Sequence, residues 1–168
     1  MSTSVKSYDS TPPRALPQPD EHYMNLALSL AARAADLGEI PVGALVVWDD
    51  GRIVGEGYNT RETEQNALCH AECRAIEQAC RTLGGWRLHR ATLFVTLEPC
   101  PMCTGAAINA RIHRVVYGAP DRNGGAMGGK VNLCETPGWY RPQITGGILE
   151  HECAQILQHF FQKLREGS

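Results

Sequence analysis

Two stretches, Cys69-His70-Ala71-Glu72-Cys73 and Ala91-Thr92-Leu93-Phe94-Val95-Thr96-Leu97-Glu98-Pro99-Cys100-Pro101-Met102-Cys103, organise the reading of this chain. The second begins as an apolar strand, Ala91 to Thr96, and passes through Leu97-Glu98-Pro99 into a short helix over 101–110. Cys-x-x-Cys spacing at a helix start lets two thiolates grip one ion, because the free N–H groups of the first turn favour the ionised sulfur. The first stretch opens a second helix, 70–83, which stops at Gly84-Gly85. A histidine at that helix start can supply a third ligand. Structural zinc takes four protein ligands and catalytic zinc takes three plus water. His70, Cys100 and Cys103 make three.

Glu72, two residues beyond His70, reaches the open fourth position without being a ligand. A metal that lowers the pKa of bound water to ~7, with a carboxylate beside it to carry protons, suits hydrolysis at an electrophilic carbon. An alternative uses Cys69 and Cys73, four residues apart on one helix face, with Cys100 and Cys103 as a four-thiolate structural site. That arrangement leaves His70 and Glu72 without a role. Otherwise Cys69 and Cys73 read as small buried hydrophobes, as do Cys80, Cys134 and Cys153.

Outward from these stretches, Asp20 reads as the N-cap of a helix on which Tyr23, Ala27, Leu30, Ala31, Ala34 and Leu37 recur at helical spacing, closing at Gly38. Val42 to Trp48, an Asp49-Asp50-Gly51 turn and Arg52 to Tyr58 read as a β-hairpin. Val115 to Gly118 is a further strand, followed by a Gly-rich irregular loop from Ala119 to about Tyr140. Loops of that length in a compact domain are usually functional. A short strand near Ile144 and Thr145 precedes a last helix, Glu150 to Lys163. The order α-β-β-α-β-α-β-β-α predicts one sheet covered by helices, an α/β sandwich. Residues 1–19, with four prolines and no apolar period, read as a flexible or extended leader, and 20–168 as a single domain.

Composition bounds the function. The 168 residues are 43% hydrophobic and 20% charged, which is ordinary globular usage. No apolar run approaches the ~18–20 residues of a membrane span, and the start is too polar for a signal peptide. Seven cysteines without an export signal predict thiols or metal ligands in the cytoplasm. The formal net charge is −2, yet Arg81, Arg87, Arg90, Arg111, Arg114, Arg122 and Lys130 face only Glu98 and Asp121 between residues 81 and 133. A basic stretch of this kind permits nucleic-acid binding, and a solvated charged face is the plainer reading.

His70-Ala71-Glu72 with Pro99-Cys100-Pro101-Met102-Cys103 resembles the signature of the zinc-dependent nucleobase deaminases. Over roughly residues 21–165 the chain is similar to the tRNA adenosine deaminase branch of that cytidine-deaminase-like superfamily. The resemblance runs through Glu39-Ile40-Pro41-Val42-Gly43-Ala44, Gly55-Glu56-Gly57-Tyr58-Asn59, Asn109-Ala110-Arg111-Ile112, Val115-Val116-Tyr117-Gly118-Ala119 and Gly146-Gly147-Ile148-Leu149. It implies a three-layer α/β/α sandwich with a five-stranded mixed sheet, a homodimer, and one zinc per subunit held by His70, Cys100 and Cys103. Glu72 is then the proton shuttle and Asn59 a hydrogen-bond partner of the base edge. The backbone at Ala71 and Pro99 would line the pocket, and Asp121 would contact the sugar of a flipped nucleotide. The implied reaction is conversion of adenosine to inosine at the wobble position of the tRNA anticodon loop. Deamination of a free nucleobase or nucleoside is the alternative, and a non-catalytic zinc-stabilised binding module a second one.

The chain departs from the family in its substrate-facing half. Gly128-Gly129-Lys130 stands where members carry a small hydroxyl residue, and Trp139-Tyr140-Arg141-Pro142 where they carry an Asn-His pair. The basic tail of many members is not seen in Lys163-Leu164-Arg165-Glu166-Gly167-Ser168. For Asn59 and Asp121 the competing readings are loop closure and a turn cap, since Asn and Asp side chains serve both. Trp139 and Tyr140 read as base-stacking residues or as packing residues.

Overall fold

Alternation of side chains along the strands divides the core in two. The computed structural model describes residues 11–167. Its elements are α1 (Asp20–Asp36), β1 (Gly43–Trp48), β2 (Ile53–Tyr58), α2 (Ala71–Leu83), β3 (Ala91–Leu97), α3 (Pro101–Asn109), β4 (Arg114–Ala119), β5 (Gln143–Gly146) and α4 (Glu150–Glu166), with a short 3-10 turn at Leu133–Glu135. The strands form one sheet in the order β2-β1-β3-β4-β5. β1 runs antiparallel to β2 and β3, while β3, β4 and β5 are parallel. On one face Ala44, Val46, Val54, Leu93, Val95 and Val115 pack with Ala75, Ala79 and Ala107 of α2 and α3. On the other, Leu45, Val47, Phe94 and Val116 pack with Tyr23, Met24, Ala27 and Leu30 of α1 and Cys153 of α4. Side chains two apart share a face, so a sheet covered on both sides needs apolar residues at every position of its central strands. The three-layer sandwich with a five-stranded mixed sheet is the expected fold.

α2 lies unusually close to β2. A Cβ at Gly57 would overlap the Ala71 carbonyl oxygen, and one at Gly55 the Ala75 carbonyl oxygen. These two glycines, facing Ala71, Ala75 and Ala79, let the helix settle directly on the strand and so set the height of its N-terminus.

Asp20 is not the N-cap expected. Pro19 occupies that position, and Asp20 is the first helical residue. Its carboxylate accepts two hydrogen bonds from Arg114 of β4, at 2.9 and 2.6 Å, a bidentate pair that ties α1 to the sheet. Residues 1–10 of the expected leader lie outside the described residues. In the remainder, the Arg14 backbone N–H donates to Asp49 Oδ2 at 3.0 Å, Pro17 meets Gly51, and Leu16 packs on the core. The segment after β4 is irregular, as its glycines predict, apart from the 3-10 turn and one antiparallel bridge between Met127 and Asn132. Among the described residues, no helix is long and apolar enough to cross a membrane.

Candidate active site

Four segments meet at one edge of the sheet. β1 is antiparallel to both β2 and β3, so the start of β1 lies beside the ends of β2, β3 and β4. Ligands in α/β proteins bind at the carboxyl ends of parallel strands for the same reason: connecting loops and helix N-termini converge there. The pocket at this edge has a volume of about 160 Å³. Its wall takes Glu39, Ile40 and Val42 from before β1, Asn59 and Arg61 from after β2, Glu98 from after β3 and Asp121 from after β4, with His70, Glu72 and Cys100 at its floor. Cavities of ~150 Å³ admit a benzene-sized ring. A pocket of this size takes a ring system and leaves attached groups outside.

His70 is the N-cap residue of α2 and Cys100 the N-cap residue of α3, both in extended conformation, with Pro101 at the first helical position. Two helix N-termini are thus aimed at one point. His70 Nδ1 lies 3.7 Å from Cys100 Sγ and 3.6 Å from Cys103 Sγ. A tetrahedral zinc ion with bonds of ~2.0 Å to nitrogen and ~2.3 Å to sulfur spaces such ligand atoms about 3.6 Å apart. The three side chains fit a metal ion of that kind, and their ligand atoms all lie within 4.8 Å of one another. The four-thiolate alternative is not formed. Cys69 donates to Glu64 and accepts from Arg74, both at 3.5 Å, and Cys73 lies outside the His70, Cys100 and Cys103 cluster.

As protein groups alone, these side chains share protons unequally. Hydrogen bonding from Cys103, and then from His70, holds the Cys100 thiol down at about 4, and Cys103 rises as the donor to Cys100. His70 is raised by its hydrogen bond with Cys100. Glu72 is buried beside them, and burial pushes its carboxyl up to about 7. A carboxyl near neutrality can both take and return a proton at physiological pH.

The family model of the MafB19-like deaminases matches residues 18–165. A tRNA-specific adenosine deaminase of Bacillus subtilis is 45% identical over 148 residues, covering 88% of this chain and 91% of its own. The chain belongs to the tRNA-specific adenosine deaminase family. A solved structure from work on A-to-I editing by tRNA:A34 deaminases at the wobble position of transfer RNA superposes with a TM-score of 0.76. It is 40% identical and covers 81% of this chain and 99% of its own. A guanine deaminase of Bacillus subtilis, at 39% identity, covers 61% of this chain and 66% of its own with a TM-score of 0.58.

In this deaminase, two of the four expected substrate contacts stand on the pocket wall. Asn59 accepts from the Ala71 N–H through Oδ1 and donates to the Ile40 carbonyl, both at 3.0 Å. An amide has two donor hydrogens and two lone pairs on oxygen, so one of each is left for a ligand. Asp121 accepts the N–H groups of Asn123 and Gly124 on Oδ1, the turn cap of the competing reading, and still lines the pocket. The Ala71 N–H is taken by Asn59. The Pro99 carbonyl accepts from the Ala126 N–H at 2.8 Å and from Thr104 Oγ1 at 3.3 Å. Neither Ala71 nor Pro99 is among the lining residues.

Glu98 carries more of the site than the motif suggested. Its buried carboxylate accepts three backbone N–H groups of the loop after β4: Asp121 at 2.9 Å, Met127 at 2.9 Å and Gly129 at 2.8 Å. It thereby fastens the loop to the turn that carries Cys100. Gly125 and Gly129 press against this carboxylate, and a Cβ at either would collide with it. Glu39, also buried, accepts from Thr63 N–H at 2.6 Å, Thr63 Oγ1 at 2.7 Å and Glu62 N–H at 3.2 Å, holding the 60–66 loop over the pocket. Arg61 on that loop was not predicted; no periodicity or spacing marks it.

The basic stretch of the sequence is dispersed by the fold. Arg81 pairs with Glu77, Arg90 with Asp49 and Arg114 with Asp20. Arg87 lies over the Trp86 ring and Arg111 over Tyr140. Arg122 and Lys130 stand exposed on the loop that carries Asp121, next to the pocket.

Proposed function

We propose that this deaminase is a zinc-dependent hydrolase that converts the wobble adenosine of a tRNA anticodon loop to inosine. The observation that carries the reading is Glu72, buried against the His70, Cys100 and Cys103 cluster at the floor of a pocket sized for a base. When bound by those three side chains, zinc supplies Lewis acidity that makes water nucleophilic near neutral pH. Glu72 takes a proton from the attacking water and delivers protons to the purine ring nitrogen and to the departing ammonia. Asn59, held by the Ala71 N–H and the Ile40 carbonyl, presents its remaining donor and lone pair to the base edge. Asp121 Oδ2 meets the sugar hydroxyls at the mouth. Arg122 and Lys130 beside it meet the phosphates, which stay outside the acidic pocket.

An unpaired anticodon base leaves its stack at modest cost, which is how a buried centre reaches its ring. The protein works in the cytoplasm as a homodimer, which light scattering coupled to size exclusion checks. A second reading, deamination of a free purine base, has one observation in its favour: the wall carries Glu39, Glu62, Glu98 and Asp121 against the single cation Arg61.

One experiment separates the two. The zinc-loaded protein is given an anticodon stem-loop with a wobble adenosine, and the RNA is sequenced. Inosine at that position is the expected result. Its absence, together with ammonia release from free guanine or adenosine, replaces the RNA reading with that of a free nucleobase or nucleoside deaminase.

A further inference from the structure

The proposed mechanism makes no use of Cys73, which lies next to its metal site. Cys73 is the third residue of α2, one position after Glu72, and its Sγ lies 3.7 Å from Cys103 Sγ, in contact. The two thiols differ in access. Cys103 is fully buried, whereas Cys73 is partly exposed. Of the remaining thiols, Cys69 is engaged by Glu64 and Arg74, Cys134 and Cys153 are buried elsewhere in the core, Cys80 is partly exposed and packs against the core away from the site, and the partly exposed Cys100 belongs to the His70 and Cys103 cluster itself. A disulfide has an S–S length of about 2.05 Å, so closing this pair requires the sulfurs to approach by about 1.7 Å.

We propose that Cys73 and Cys103 are a reversible oxidative modification site, at which a hydroperoxide joins the two sulfurs and opens the metal centre. The inference rests on the reading of Cys103 as a metal ligand. The partly exposed Cys73 is the sulfur a small peroxide reaches. Its thiolate attacks one peroxide oxygen and breaks the O–O bond, giving a sulfenic acid and releasing water or the corresponding alcohol. The Cys103 sulfur then attacks the Cys73 sulfur, forming the S–S bond and expelling hydroxide, which leaves as water after taking a proton. In total two thiols lose two electrons and the peroxide gains them. Cys103 can no longer serve as a thiolate ligand, so the metal is held by His70 and Cys100 alone and is released. A dithiol reductant restores both thiols by exchange.

The test begins with the zinc content of the untreated holoenzyme. Hydrogen peroxide is added, zinc release is followed with a chromogenic chelator, free thiols are blocked, and disulfides are mapped by peptide mass spectrometry. The wild-type chain is expected to yield a Cys73–Cys103 linked peptide pair and to regain its zinc after dithiothreitol and added metal. Cys73→Ser and Cys73→Ala keep the untreated zinc content and activity, and release zinc at least ~10-fold more slowly under peroxide, because the accessible attacking sulfur is gone. Equal release from the variants and the wild type, or a mapped Cys100–Cys103 bond in its place, overturns the proposal. An untreated protein without zinc overturns the metal reading separately, and the mapped linkage still decides the thiol pair.

Discussion

The two sides of the pocket each present a buried carboxylate, and the two are built for opposite tasks. On the helix side, Glu72 sits in the first turn of α2 beside His70, and burial raises its carboxyl to about 7. On the loop side, Glu98 follows β3 and accepts three backbone N–H groups from the chain between Asp121 and Gly129. A carboxylate wrapped by three donors holds a loop in place. One that is desolvated beside the His70, Cys100 and Cys103 cluster is pushed towards neutrality, where a carboxyl can exchange protons. The same side chain thus serves chemistry or architecture according to what its oxygens meet. The helix side is rigid because α2 sits directly on β2, and His70 and Cys100 each stand at the first turn of a helix. The loop side is irregular, and Glu98 is the side chain that ties three of its N–H groups to the end of β3.

The largest effect breaks the helix side. Glu72→Ala loses at least ~100-fold in turnover, the usual scale for a positioned acid/base, while metal content measured by atomic spectroscopy stays at the wild-type level. Unchanged turnover removes Glu72 from the mechanism. Next comes the loop side. Glu98→Ala frees three N–H donors and raises KM by about 10-fold with kcat within ~3-fold, since it acts on the loop and not on the proton transfer. Glu98→Gln, which keeps a carbonyl acceptor, recovers part of the loss. A drop in kcat alone would place Glu98 with the chemistry.

Gly129→Ala tests the same contact from the loop. Its Cβ collides with the Glu98 carboxylate and the Asp121 carbonyl, so stability falls by about 1–3 kcal/mol in denaturant titration with metal content unchanged.

The smallest effect is pH-linked and lies away from the centre. At Glu39, burial raises the carboxyl, but hydrogen bonds from Thr63 and Glu62 outweigh it and the group titrates below the usual carboxylate range. At Asp49, burial is likewise outweighed by the Arg14 N–H and by Arg90. A folded pKa below the unfolded value of ~4 contributes stability that is complete above the unfolded value and is lost as pH falls through the folded one. Tm therefore declines below about pH 4, and Glu39→Gln and Asp49→Asn each flatten that decline.

Much of this was legible in the residues. Continuous apolar strands, helices stopped at Gly38 and Gly84, and Cys-x-x-Cys at a helix start are local patterns, and local patterns survive in sequence because each residue's neighbours in the chain are also its neighbours in space. His70, Cys100, Cys103 and Glu72 belong to this class, since their chemistry is readable from spacing. Asp20 shows where such reading fails: a good capping residue was drawn off by Arg114, 94 positions away. The basic stretch is likewise divided by the fold: Arg90 and Arg114 pair with the distant Asp49 and Asp20 and Arg81 with Glu77, while Arg122 and Lys130 stay exposed on the loop after β4.

The sequence by itself determined the layers of the sandwich and marked His70, Cys100, Cys103 and Glu72 as the candidate site that the fold then brings together. Only the tertiary structure decided that Glu98 fastens the substrate-side loop, that Ala71 and Pro99 have backbone groups already engaged, and that Cys73 touches Cys103. Those three facts are hydrogen bonds and contacts between segments that meet only after the sheet has assembled, and no spacing along the chain encodes them.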